Sequence, residues 1–167
     1  DVTVGSPFAD TGAVDNGKID VFFGGPGVID TTSDALLTKT PAEDNAVFGR
    51  RINTNCDVNN DGYADIATSG FEADNLRVNN GEVQVFFGGP GAFDTTPAAI
   101  LTKVPGQVGA NIGVGITCGD VNNDGYDEII TGAFTADNGA FNNGEVHIFF
   151  GGTGLFQVLS GKWWTMA

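Results

Sequence analysis

Two nine-residue loops in this chain have the residue types and spacing to close around a hard cation. They read Asp57-Val-Asn-Asn-Asp-Gly-Tyr-Ala-Asp65 and Asp120-Val-Asn-Asn-Asp-Gly-Tyr-Asp-Glu128. Oxygen-bearing side chains stand at loop positions 1, 3, 5 and 9, and a Gly follows position 5, where a sharp turn is needed. Alternate residues can then point carboxylate or amide oxygens inward, and the carbonyl at position 7 (Tyr63, Tyr126) can add another. Calcium takes six to eight such oxygens in a flexible shell, whereas magnesium demands a tight octahedron and keeps its waters. Calcium is the expected ion, at two sites.

The opening Asp-x-Asn-x-Asp-Gly also fits an EF-hand, which needs a bidentate Glu at position 12 and a helix on each side. Position 12 is Thr68 in one copy and Thr131 in the other. The flanks Asp65-Ile-Ala-Thr and Glu128-Ile-Ile-Thr alternate like strands. A metal-free turn is the bland alternative, because Asn and Asp favour turns anyway. Two copies with the same oxygen spacing count against it.

The loops belong to a longer internal repeat. Asp1-Val-Thr-Val-Gly-Ser-Pro-Phe-Ala-Asp aligns with stretches starting at Asp65 and Glu128, giving periods of 64 and 63 residues. Asn-Gly turns at 16, 80 and 143 each open a strand that ends Phe-Phe-Gly-Gly. Asp30-Thr-Thr and Asp94-Thr-Thr lead to Leu36-Leu-Thr-Lys and Ile100-Leu-Thr-Lys. A fixed period of this size signals units that need their neighbours to bury a core. In the middle unit strands are predicted near 48–56, 65–70, 82–88 and 98–103. Lys18, Asp20, Glu82, Gln84, Glu145 and His147 alternate with Ile19, Val21, Val83, Val85, Val146 and Ile148, the period of a strand. Apolar groups on both faces suit a sheet stacked between sheets. The predicted class is all-β, with four-stranded antiparallel blades of a β-propeller.

These residues resemble the FG-GAP repeats of integrin α-subunit propellers and their bacterial relatives. The FG element is Phe48-Gly49, then Ile112-Gly113. The GAP element is Gly5-Ser6-Pro7, Ser69-Gly70-Phe71 and Gly132-Ala133-Phe134. The acidic loop lies between FG and GAP, where the family places it. The resemblance implies one calcium held by Asp57, Asn59, Asp61, Asp65 and the Tyr63 carbonyl. It implies a second held by Asp120, Asn122, Asp124, Glu128 and the Tyr126 carbonyl. Glu128 departs from the family's Asp at position 9, and Asp1 falls at position 9 of a loop whose other residues are absent. The units run approximately 1–47 (lacking its first strand), 48–111 and 112–167 within one segment. Just under three blades are present, where closed propellers use four to eight. The expectation is a piece of a longer protein, with a ring completed by several copies as the alternative.

Seven basic residues against 21 acidic ones give a formal charge of −14. That argues against nucleic acid and anionic membrane surfaces as partners. There is no run of 18 apolar residues to span a membrane. Calcium loops of this kind suit the millimolar extracellular pool. Cys56 and Cys118 lie just before the two loops. Counted from FG they share a strand face, and counted from the loop they lie on opposite faces. Both a disulfide between neighbouring blades and two buried thiols stay open, with thiols favoured. Acidic residues outside the loops are read as a solvated surface.

Enzyme signatures are thin. His147 is the only His and reads as a strand-face residue, so no Ser–His–Asp or Cys–His arrangement can be built on it. Trp163 and Trp164 could stack on a sugar or pack against a sheet edge. The expected role is a non-enzymatic module for adhesion or for binding a protein or glycan. The alternatives are a scaffold portion of a secreted polysaccharide-active enzyme and a self-assembling structural protein. The loops 6–16, 70–80 and 133–143 are the expected places for a ligand.

Overall fold

The computed structural model describes residues 1–27, 31–91, 93–154 and 156. Asp30, the fourth strand expected in the third unit, Trp163 and Trp164 lie outside the described residues. Within them there are ten strands and no helix. The first sheet joins β1 (Val2–Ser6), β2 (Lys18–Phe22) and β3 (Ala35–Thr38). The second joins β4 (Ile52–Cys56), β5 (Asp65–Gly70), β6 (Glu82–Phe86) and β7 (Ala99–Leu101). The third joins β8 (Ile112–Gly119), β9 (Glu128–Ala133) and β10 (Glu145–Phe149). Every pairing is antiparallel and links sequential strands. The predicted middle-unit strands fall on β4–β7. The described strands form three separate sheets of three or four strands, without ring closure.

Alternating side chains send apolar groups to both faces, and each inner face meets a neighbour. Ile19, Val21, Ala35 and Leu37 of the first sheet pack on Phe48, Ile66 and Phe86 of the second unit. The Phe48 and Phe86 rings meet edge-on at 6.2 Å. On the far side of the second sheet, Ala67, Val83, Val85 and Leu101 pack against Ile112, Ile129 and Phe149.

Backbone contacts repeat at both junctions. The Phe48 and Ile112 amides donate to the Asn16 and Asn80 carbonyls of the preceding unit at 3.1 and 3.0 Å. The chains come so close there that a Cβ on Gly17 or Gly81 would collide with the Phe48 or Ile112 carbonyl oxygen. Both glycines also hold positive φ, at 85° and 78°, so the Asn-Gly turn serves the junction as well as the hairpin.

The strand-face acids are not a solvated surface. Glu82 and Glu145 are buried, and each meets a buried Lys carried just past the last strand of the preceding sheet. Lys39 Nζ lies 3.5 Å from Glu82 Oε1, and Lys103 Nζ lies 3.0 Å from Glu145 Oε2. A charge buried between sheets needs such a partner. Lys18 occupies the equivalent position in the first unit and pairs with Asp20 on its own strand at 2.9 Å.

Candidate metal loops

Both acidic loops are built by the same local chemistry. The backbone takes left-handed conformations at position 4 (Asn60, φ 54°; Asn123, φ 64°) and at the Gly of position 6 (Gly62, φ 84°; Gly125, φ 91°). Asn and Gly tolerate that region best. The Asn at position 4 is thus a turn residue, with a backbone role that oxygen spacing alone does not reveal.

The two Asp57 oxygens accept from the Asp61 and Gly62 amides, both at 3.0 Å. Asn59 Oδ1 accepts from the Asp61 amide at 3.1 Å, and Asp61 Oδ1 accepts from the Tyr63 amide at 2.9 Å. In the second loop Asp120 accepts from the Asn123, Asp124 and Gly125 amides at 2.6, 3.2 and 3.0 Å. Asn122 Oδ1 accepts from the Asp124 amide at 2.9 Å, and Asp124 Oδ1 from the Tyr126 amide at 3.0 Å.

The last carboxylate is set by the strand that follows. Asp65 opens β5 and Glu128 opens β9, and both are fully buried. Asp65 Oδ2 accepts from the Val58 amide and Oδ1 from the Gly88 amide, both at 2.9 Å. Burial pushes its carboxyl up to about 6; the two amides oppose that rise, and Asp61 and Asp57 add to it by like-charge repulsion. Glu128 Oε2 accepts from the Val121 amide at 2.9 Å, while Oε1 faces Asn122 Nδ2 at 3.4 Å. At Asp120, desolvation is the largest single influence, but the Gly125, Asn123, Asp124 and Asn122 amides together outweigh it and hold the carboxyl below the ordinary value.

Positions 1, 3 and 5 are thus brought together in each loop, with position 9 beneath them. Tyr63 and Tyr126 stand at position 7, their amides turned to the position 5 carboxylate. Among the described residues no three acidic, His or Cys side chains converge on a single point. The carboxylates are occupied by backbone N–H groups, and the positive end of an amide lies between acids. Asn59 Nδ2 donates to Asp61 Oδ2 at 2.8 Å and Asn122 Nδ2 to Asp124 Oδ2 at 2.9 Å. The donor set is all oxygen and carries three carboxylates per loop, which fits a hard divalent cation and no soft one.

The loops lie side by side. The Asp57 amide donates to Asp127 Oδ2 at 2.9 Å, and the Asp127 amide donates to the Asp57 carbonyl at 3.0 Å. Beneath them Cys56 and Cys118 form a disulfide with Cα atoms 5.4 Å apart, so the favoured pair of thiols is corrected. The physical reason is parity. Two strands facing each other across a junction must present opposite faces, which is what counting from the loop gives. Counting from FG is misled because β4 gains an extra residue between Asn53 and Cys56, and β8 is irregular between Ile112 and Ile116.

His147 lies on the face of β10 turned toward the second sheet, buried, with Nε2 3.0 Å from Glu145 Oε2. Burial lowers its basicity, Glu145 opposes that and Lys103 adds to it. This is the strand-face position expected for it.

No curated protein matches the chain. Residues 57–131, which run from the first acidic loop through the second and into β9, match the family model described as FG-GAP-like repeat. On that match, residues 57–131 of this all-β chain are similar to the FG-GAP repeat family.

Proposed function

We propose that this chain is part of a calcium-stabilised β-propeller that serves outside the cell as a binding or adhesion module. The observation that carries the reading is the pair of acidic loops, alike in turn and donor set and laid side by side where two sheets meet. Asp57, Asn59, Asp61 and Asp65, with the Tyr63 carbonyl, would hold one calcium. Asp120, Asn122, Asp124 and Glu128, with the Tyr126 carbonyl, would hold the other. The ion would supply positive charge among three carboxylates. The chain's own contribution is to fix those carboxylates on a turn whose geometry the backbone already imposes. A bond between Cys56 and Cys118 suits an oxidising compartment. No helix among the described residues is long and apolar enough to cross a membrane.

Thermal unfolding in calcium, magnesium and chelator tests this reading. A ligand that binds only the folded state at 100 times its dissociation constant stabilises by about 2.7 kcal/mol. Calcium should therefore raise the midpoint by several degrees, and magnesium should do much less. No response to calcium would overturn the calcium assignment.

A self-assembling structural role is the second reading. Val2 and Val4 on β1 are 41% and 47% exposed, whereas Ile66 and Thr68 at the same repeat positions are buried against a neighbouring sheet. Light scattering separates the two: a defined oligomer would favour assembly, and a monomer would count against it.

A further inference from the structure

The acidic loops sit at one end of the strands, and a pocket of opposite character opens at the other. It has a volume of about 290 Å³ and lies where the second unit meets the third, lined by Arg50, Arg51, Phe71, Val114 and Phe134. Arg50 and Arg51 precede β4, Phe71 follows β5, and Phe134 follows β9. The antiparallel pairing of β4 with β5 therefore places this cluster at the strand ends remote from residues 57–65.

Three observations set it apart. First, the chain carries 21 acidic residues and seven basic ones, yet two of its arginines are adjacent here. Among the described residues no carboxylate pairs with either. The ion pairs are made by Lys18, Lys39, Lys103 and His147. Second, both guanidinium groups are positioned without being consumed. Arg51 Nε donates to the Val114 carbonyl at 2.9 Å and Nη1 to the Arg50 carbonyl at 3.3 Å, while Nη2 has no protein acceptor among the described residues. Arg50 lies over the Phe71 ring, 5.0 Å from its centroid, a contact that fixes the cation and uses none of its N–H donors. Third, the pair breaks the repeat. Phe48-Gly-Arg-Arg in the second unit is Ile112-Gly-Val-Gly in the third, so the repeat fold does not require arginine there.

The geometry points to a binding site for an acidic glycan, with the carboxylate of a uronate ring on the Arg50 and Arg51 donors and the C–H face of the ring on Phe134. An arginine fork matches a carboxylate with two parallel hydrogen bonds. Phe134 is 57% exposed and supplies a free aromatic face beside Val114. A pyranose uronate presents both chemistries on one rigid body, which lowers the ordering cost of binding. An Asp or Glu side chain would satisfy the arginines and leave the rings uncovered. This inference deepens the binding-module reading and rests on it for the existence of a ligand. It does not depend on calcium in the loops.

Isothermal titration of the intact chain with a β-1,4-linked glucuronate tetramer tests it, with the neutral glucose tetramer and a tetra-aspartate peptide as comparators. The uronate should bind at least about tenfold tighter than either comparator. Arg50→Ala combined with Arg51→Ala should weaken it by about tenfold or more, and Phe134→Ala by several-fold, with melting points unchanged because all three side chains are exposed. No uronate binding, equal binding by the double variant, indifference to Phe134→Ala, or tighter binding of tetra-aspartate would each overturn the inference. Calcium-dependent melting of the same samples reports the loop reading separately. Loss of uronate binding alongside an intact calcium response would sink this site alone.

Discussion

The two acidic loops share a turn, a set of Asx hydrogen bonds and a place between sheets, and they part at the last carboxylate. Asp65 is short, so its two oxygens reach in different directions, to Val58 in its own loop and to Gly88 beyond the end of β6. It is a strap between strands as well as a candidate ligand. Glu128 is one methylene longer and spends both oxygens inside its own loop, on Val121 and Asn122. Asp1 settles which arrangement depends on the shorter acid. It stands at the same repeat position, and its Oδ1 accepts from the Gly24 amide, the counterpart of Gly88, at 2.7 Å. Asp at this position straps the sheet in both units, and Glu gives up the strap for reach. A cation in the second loop would find a carboxylate less committed to the fold.

The largest effect should come from cutting what binds the loops together. Replacing Cys56 and Cys118 by Ala should cost about 2–4 kcal/mol in equilibrium urea unfolding, because the bridge closes a long stretch of chain. A change within error would mean that the loops are aligned by the sheets alone. Next comes the strap. Measured in chelator, Asp65→Ala leaves the Val58 and Gly88 amides without their acceptor and should cost about 1–3 kcal/mol for each amide that stays buried and unpaired. Glu128→Ala strips the Val121 amide and a long contact from Asn122 Nδ2, which keeps Asp124 as acceptor, and should cost less. Equal losses would break the comparison. Asp127→Ala removes the side-chain acceptor that joins the loops and should cost about 0.5–1.5 kcal/mol, read as a shifted urea midpoint at unchanged slope. The smallest effect is expected from Glu128→Asp, which exchanges reach for strap. Its stability in chelator should stay within about 1 kcal/mol of the parent while calcium affinity at that loop falls severalfold.

The strands were legible because β-branched residues alternate on both faces, and the loops because their oxygens recur at fixed spacing. Three features were hidden. The bulge in β4 shifts parity without altering composition, whereas the irregularity in β8 does not, so the facing of Cys56 and Cys118 was ambiguous until the register was known. Glu82 and Glu145 looked like solvent-facing strand residues because period two separates faces without saying what covers them. Lys39 and Lys103, the partners that make their burial tolerable, lie in the preceding repeat. The Arg50–Arg51 pocket needs four segments from two units brought together by packing, and no one of them is a motif.

The central claim, that each loop holds one calcium, is met most directly by calorimetric titration of the intact chain with calcium after removal of divalent ions. The account predicts two calcium ions per chain. It predicts one in Asp57→Ala/Asp61→Ala and one in Asp120→Ala/Asp124→Ala, with magnesium binding far more weakly throughout. A parent chain that takes up no calcium, or variants that still take up two, would contradict it.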